Sequence, residues 1–382
     1  MRKLLRNSQP FVLVLGLLLL VQVSLAAEEK KPAKLFEDSS EWKVTLTGPW
    51  RKIQNNSSKD ARYPAQLTYP GADGQEITVD IEVAPRALTR RRICDFPPLK
   101  VYFDKEKMKG TELRGNKSLK LVTYCDLNRK YEQYYIKEFL VYRIYNLITD
   151  YSFRVKPLIV DYQEIGRKSK PVTRFSFLIE DADEVADHND LEKLTVSKVP
   201  PGDLHPVETS YFSLFQYMIG NLDFAATGGP DKNKCCHNAK IIGKSIDETP
   251  KYVIPYDFDS TGLVNAHYAA PPDKLKVRNV RQRLYRGFCV QNHTLTQAAE
   301  RFQEKKPEIM ALFENDVHLS NSSRKRAISY LEDFYEVLDD PKRFKREITD
   351  KCRGQQPARQ PLRLPDWLVS LPGVPTKAPV VS

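Results

Sequence analysis

Three short stretches of this 382-residue chain hold most of the side chains that could do chemistry. "GNLDF" places Asp223 just past a predicted helix, and "HNAKII" places Asn238 just ahead of an apolar run. "YVIPYDFDSTG" carries a hydrophobic strand into Asp257 and Asp259. A carboxylate at the end of a buried strand is costly unless a metal, a basic side chain or a turn cap meets it. Carboxylate, amide, strand, carboxylate is the order that metal-assisted phosphoryl transfer needs. Asp223 would accept the proton of an attacking hydroxyl, while Asn238 and Asp257 hold a divalent ion on the phosphates. Oxygen ligands of this kind suit Mg²⁺ or Mn²⁺. Each stretch alone is an ordinary turn; the ordered set carries the signal.

Such a site also needs a strand lysine tied to the phosphates by a glutamate from a helix. Lys120 in "SLKLVTY" and Glu138, eighteen residues on, meet that requirement, with Lys100 in "LKVYF" as the second lysine. On a helix Glu138 would sit among Tyr134, Tyr142 and Tyr145, so its carboxylate needs a partner. The bland alternative for Lys120 is an edge-strand lysine.

Elements must position these groups. "WKVTLTG", "QEITVDIEVA", "LKVYF" and "SLKLVTYC" alternate as strands separated by Gly, Pro and Asp, which reads as a lobe of antiparallel strands. Residues 130–149 lack Gly and Pro and place Ile136, Leu140, Ile144 and Leu147 at helical intervals, predicting a helix. "FRVKPLIVDYQ" and "TRFSFLIED" read as further strands. Residues 207–221 restore helical periodicity, and two amphipathic stretches, 295–315 and 323–351, predict a mainly helical second half. No internal repeat is visible.

The order of these segments resembles the spore-coat protein H (CotH) kinase-like family over residues 80–290. The likeness rests on "IKEFLVYRIYNLITDYSFRVKPLIVDY", "RFSFLIEDADEV", "IGNLDF", "HNAKII" and "IPYDFDSTGL". It implies an α+β, two-lobed protein-kinase-like fold. Residues 41–182 would form a β-rich N-lobe with one long helix, and residues 183–353 a mainly helical C-lobe carrying the metal site. By position, Asp223 resembles the catalytic aspartate, and Asn238 and Asp257 resemble the metal ligands. Asp259 stands where other kinases keep a glycine and becomes a further metal-ligand candidate. Glu180 and Asp181 fall where a hinge would meet the nucleotide base. The family's Gly- and Ser-bearing phosphate turn is replaced by "APRALTRRR", leaving phosphate contact to Arg86 or Arg90 to Arg92.

The chain's bounds place this chemistry. A basic start, an apolar run from Phe11 to Val21 and the small residues around Ser24–Ala26 read as a cleaved export signal over 1–26. A charged leader at 27–40 and a proline-rich tail at 354–382 flank the folded part. No later segment is apolar enough to span a bilayer, so no stable membrane span is expected after cleavage. Export, to a periplasm, cell envelope or medium, makes disulfides the expected state of Cys94, Cys125, Cys235, Cys236, Cys289 and Cys352. Cys94 with Cys125 is the local bridge. The adjacent Cys235 and Cys236 are expected to reach different distant segments, with Cys289 and Cys352 as candidates, among fifteen possible connectivities. Asn55, Asn116, Asn292 and Asn321 head glycosylation sequons. The net charge is +11, yet no nucleic-acid-binding signature accompanies the basic clusters, which favours a solvated surface over a nucleic-acid face and leaves acidic or phosphorylated ligands as partners; no nucleic-acid partner is expected.

The expectation is an exported atypical kinase moving phosphate from Mg-ATP, or Mn-ATP, to a hydroxyl of a protein Ser/Thr, a sugar or another acceptor. An exported pseudokinase on the same scaffold, or an envelope protein binding carbohydrate or peptide, are the alternatives.

Overall fold

Strands form where the first half alternates, but they close on themselves. The computed structural model describes residues 34–354 except 56–60, 72, 87–89, 169 and 230–233. Its barrel strands are β1 (Trp42–Gly48), β2 (Tyr63–Pro70), β3 (Glu76–Pro85), β4 (Leu99–Tyr102), β5 (Ser118–Val122), β6 (Val155–Glu164) and β7 (Val172–Ile179). They run in the order β1-β2-β3-β4-β5-β7-β6 and close from β6 back to β1. The expected export signal, the leader up to residue 33 and the tail beyond Gly354 lie outside the described residues.

Closure corrects the expected two-lobed, kinase-like fold. β1 pairs in parallel with β6, from Trp42↔Leu158 to Gly48↔Glu164, whereas the other barrel pairs are antiparallel. The strands read as an antiparallel lobe therefore make a mixed seven-stranded barrel within an α+β fold, and the barrel has no free edge. A parallel pair between strands more than a hundred residues apart has no hairpin signal in the sequence. Trp42, Val44, Leu46, Leu158, Val160 and their neighbours fill the interior, leaving a cavity of about 20 Å³. That volume holds about one water, so a ligand must bind outside the barrel.

The helices are α1 (Trp50–Asn55), α2 (Arg90–Ile93), α3 (Glu132–Ile148), α4 (Ala182–Asp187), α5 (Pro206–Met218), α6 (Leu295–Glu304), α7 (Lys306–Glu314), α8 (Asn321–Asp339) and α9 (Pro341–Glu347). The two long amphipathic stretches each break in two, with Pro307 and Pro341 in the first turns of α7 and α9, where a missing N–H costs nothing. The second half is not purely helical: β8 (Glu192–Leu194), β9 (Ala239–Gly243) and β10 (Tyr252–Pro255) form a small sheet ordered β10-β9-β8.

α3 is buried on nearly every face because it lies between the barrel and the later helices. Phe139 meets Phe175 and Phe177 on β7, Tyr142 meets Phe177 and Phe258, and Tyr145 meets Phe215 on α5. A helix buried on so many faces belongs in such a place, and its buried Glu138 needs a partner there. Among the described residues, no helix is long and apolar enough to cross a membrane.

The six cysteines form three pairs at disulfide distance. Cys94 and Cys125 pair as expected, with Cα atoms 4.6 Å apart. Cys289 pairs with Cys352 at 4.9 Å, and Cys235 with Cys236 at 3.0 Å, which corrects the expectation that the adjacent cysteines reach separate segments. The two expected distant partners are consumed by each other.

After α5 the chain must turn sharply to deliver Asp223. Gly220 takes φ +63°, and a Cβ there would run into the Tyr330 hydroxyl. The turn pairs with the one after Asp259: Gly262 N–H donates to the Gly220 carbonyl (3.1 Å) and Leu263 N–H to Ile219 (3.0 Å). Gly220→Ala should therefore lose about 1–3 kcal/mol to backbone strain and the clash with Tyr330. Denaturant unfolding reads it; wild-type stability in the variant would contradict this account of the turn.

Candidate functional site

The small sheet gathers three of the expected residues at one end. Pro255 pairs with Ala239, and the next N–H, of Tyr256, donates to the Asn238 carbonyl at 3.1 Å. Asn238 (φ 49°) and Asp257 (φ 66°) then adopt left-handed backbone, which Asn and Asp tolerate better than other residues bearing a Cβ. Two such residues flanking one ladder end mark a place where geometry has been held against local preference.

Asp223 meets them from the α5 turn. The Asn238 amide nitrogen donates to the Asp223 carbonyl (2.7 Å) and carboxylate (3.2 Å). His237 Nε2, when protonated, donates to the other carboxylate oxygen at 2.8 Å. This bond, more than any other influence, holds Asp223 below the usual carboxylate range, and the same bond raises His237. His237 was legible only as the residue before Asn238; no spacing rule singled it out.

Asp257 is half-buried, and its N–H donates to the Tyr142 hydroxyl at 3.0 Å. Burial, then the neighbouring Asp259, pushes its carboxyl up, against the pull of Arg90, Arg86 and Lys120. Asp259 accepts from Arg90 Nε (2.9 Å), the Tyr268 hydroxyl (3.1 Å) and the Ser260 hydroxyl (3.2 Å), which makes it an anchor rather than an open metal ligand.

Glu138 is not tied to Lys120. Its carboxylate accepts from Arg90 Nη2, so one guanidinium spans α3 and the turn after β10. Burial pushes Glu138 up to about 7, even with Arg90 beside it, whereas Glu138 and Asp259 keep Arg90 firmly charged despite its burial. The sequence placed Arg90 beside the site but assigned it to phosphate; its partners come from α3 and β10, far along the chain.

Lys120 is left among cations and rings. Its amine stands 4.4 Å from the Tyr256 ring centre and 5.8 Å from Phe153, with no carboxylate at ion-pair distance among the described residues. Burial first, then repulsion from Arg86 and Lys240, lowers it to about 8. Lys240 lies 5.1 Å from the same Tyr256 ring. Arg86, just beyond β3, has a buried Nε with no hydrogen-bond partner among the described residues. Arg86 and Lys120 thus act on Asp257, with Lys240 beside Lys120, and an added anion would satisfy them.

Glu180 and Lys100 fall away from this cluster. Glu180 is buried against Arg154, whose N–H and guanidinium both donate to it, and against His188 at 3.5 Å. These bonds outweigh its burial and hold it below its ordinary value. It is a structural ion pair and not a free hinge acceptor. Asp181 caps α4 through the Asp183 N–H. Lys100 stacks on Tyr102 instead.

No protein-family model matches the chain, and no curated protein matches it in sequence.

Removing Arg90 should expose how much depends on it. Arg90→Met leaves buried Glu138 and half-buried Asp259 without their cation, a loss of about 3–5 kcal/mol. The folded chain binds the Glu138 proton more tightly than the unfolded one, so this group's contribution to stability falls as pH rises from 4.5 to about 7. That fall should steepen in Arg90→Met. Urea titrations across that window check both; a pH-independent loss under 1 kcal/mol would count against the network.

Proposed function

We propose that the chain is a phosphotransferase, moving the terminal phosphate of Mg-ATP or Mn-ATP to an acceptor hydroxyl on a barrel-based fold. The observation that carries this reading is the set of underneutralised cations, Arg86 with its orphaned Nε and Lys120 acting on Asp257, with Lys240 beside Lys120, next to the Asp223–His237–Asn238 cluster. Polyphosphate is the anion that such a group satisfies best. The likeness of the ordered segments to the spore-coat protein H family supports the same chemistry.

Among the described residues, no group of three or more His, Cys, Asp or Glu is placed to hold a metal. Mg²⁺ does not need one, since it is commonly held by one or two protein oxygens plus substrate phosphates. Asp257 fits that part, as does the Asn238 side-chain oxygen, because the Asn238 nitrogen is already turned to Asp223. When bound there, the ion would offset charge on the phosphates. Asp223, kept ionised by His237, takes the hydroxyl proton as it is released; Lys120 and Arg86 contact phosphate; Arg90 and Glu138 hold the Asp259 turn still.

A second reading has its own observation. Glu138 is bound to Arg90, which leaves Lys120 without the glutamate that fixes it in active kinases, as expected of a nucleotide-binding protein without turnover. Export to an oxidising compartment is part of the proposal. It is supported by the Cys94–Cys125 and Cys289–Cys352 pairs together with the signal-like N-terminus.

Labelled ATP with Mn²⁺ or Mg²⁺ tests the enzyme. Asp223→Ala and Asp257→Ala should each lower phosphate transfer about 10²–10⁴-fold. Transfer unchanged in both variants would end the mechanism, and no thermal stabilisation by millimolar Mg-ATP would end both nucleotide readings. The affinity for nucleotide should also fall as pH rises through about 8, where Lys120 loses its proton. In Lys120→Gln that alkaline limb should vanish; a limb that persists shows that another group sets it.

A further inference from the structure

A second pair of cations, Arg286 beside Asp223 and Arg353 against Arg286, is separate from those around Asp257. Arg286 donates through Nη1 to the Leu222 carbonyl at 2.7 Å and lies 4.6 Å over the Phe224 ring, so it grips both neighbours of Asp223. Arg353 donates through Nε to the Arg286 carbonyl at 2.8 Å and lies 4.6 Å over Phe288. Backbone bonds from Arg353 N–H to Gly287 (2.8 Å) and from Cys289 N–H to Arg353 (3.0 Å) hold the two segments together, beside the Cys289–Cys352 pair. Two long, flexible side chains are thereby fixed before any ligand arrives, which lowers the entropic cost of binding one.

Their charge is not spent inside the protein. Among the described residues, neither guanidinium forms an ion pair with a carboxylate, and Arg286 keeps Nε and Nη2 without a protein acceptor. Both are partly exposed. Burial and the like charge of Arg353 lower Arg286 to about 10, while Asp223 works in the opposite direction. The division of labour follows the carboxylates. Arg86 and Lys120 act on Asp257, and Arg286 acts on Asp223. If Asp257 belongs to the phosphate donor and Asp223 to the acceptor hydroxyl, the two cation groups read the two substrates.

We propose that Arg286 and Arg353 form an anion subsite for the acceptor, so that the acceptor carries a carboxylate or a phosphate close to the hydroxyl presented to Asp223. The inference rests on Asp223 being the acceptor-side residue of the proposed phosphotransferase. Planar guanidinium forks recognise either anion by paired, charge-assisted hydrogen bonds. The source is an acidic serine peptide or a small phosphorylated alcohol.

Direct binding without nucleotide tests the subsite apart from turnover. The purified chain, with its disulfides intact, is titrated with a fluorescent serine peptide flanked by Glu and with matched peptides flanked by Gln or Lys. Glycerol 3-phosphate and glycerol serve as the small-molecule pair. The Glu peptide or glycerol 3-phosphate should bind at least about 10-fold more tightly than its neutral counterpart, and which of them does so identifies the source. Arg286→Gln and Arg353→Gln should each weaken that binding about 10-fold or more, Arg286→Lys should weaken it less, and Lys325→Gln on exposed α8 should leave it unchanged. Equal binding of anionic and neutral probes overturns the proposal. So does wild-type affinity in both glutamine variants, or an equal loss in Lys325→Gln, which would mean bulk charge alone. Anion binding that survives alongside absent phosphate transfer would sink the phosphotransferase reading and leave the subsite standing. Transfer with no preference for anionic acceptors would do the reverse.

Discussion

Arg90 is the interaction on which the site depends. Its guanidinium meets buried Glu138 on α3 through one nitrogen, and half-buried Asp259 and Tyr268 beyond β10 through another. A buried charge of either sign is expensive alone, so the three groups are stable only together. That mutual requirement joins the segment after β3 to α3 and to the turn carrying Asp257. Three distant parts of the chain are thereby held in one register.

The rest of the geometry follows from where α3 lies. Its aromatic residues contact the barrel on one side and α5 and Phe258 on the other, so a helix that could have been a surface element becomes the seam of the molecule. With the barrel interior filled, polar groups collect at this seam instead. Lys120 arrives from the middle of β5, Asp257 from the turn after β10 and Asp223 from the turn after α5, each carried by an element whose body is apolar. Functional groups carried on or next to such elements sit on rigid supports while remaining open to a ligand, which is the arrangement that preorganised electrostatics require.

Opposite charges in the site are matched unevenly, and the unevenness is informative. Arg90 is satisfied twice over, as is Asp259, and both read as structural. Arg86, Lys120 and Arg286, with Lys240 and Arg353 close to them, are not matched by carboxylates to the same degree, and the first three act on the two aspartates that have open faces. A fold gains nothing from leaving cations near one another, since their repulsion and desolvation work against it. A ligand that brings negative charge removes both costs.

Local pattern alone located most of the elements. The helix at 130–149 and the strands at 42–48, 76–85, 99–102 and 118–122 were legible because alternation and helical spacing act over a few residues. The meeting of Asp223 with Asn238 was legible as an ordered set, because both lie near one short sheet. What the sequence could not reveal was decided by contacts between segments far apart in the chain. The parallel pairing of β1 with β6 turned an expected lobe into a barrel, and Glu138 took Arg90 rather than Lys120. Glu180 was drawn into an ion pair with Arg154, and Cys289 found Cys352, leaving Cys235 to Cys236. Each outcome is a choice among chemically equivalent partners, and only the closed tertiary structure sets the distances that decide between them.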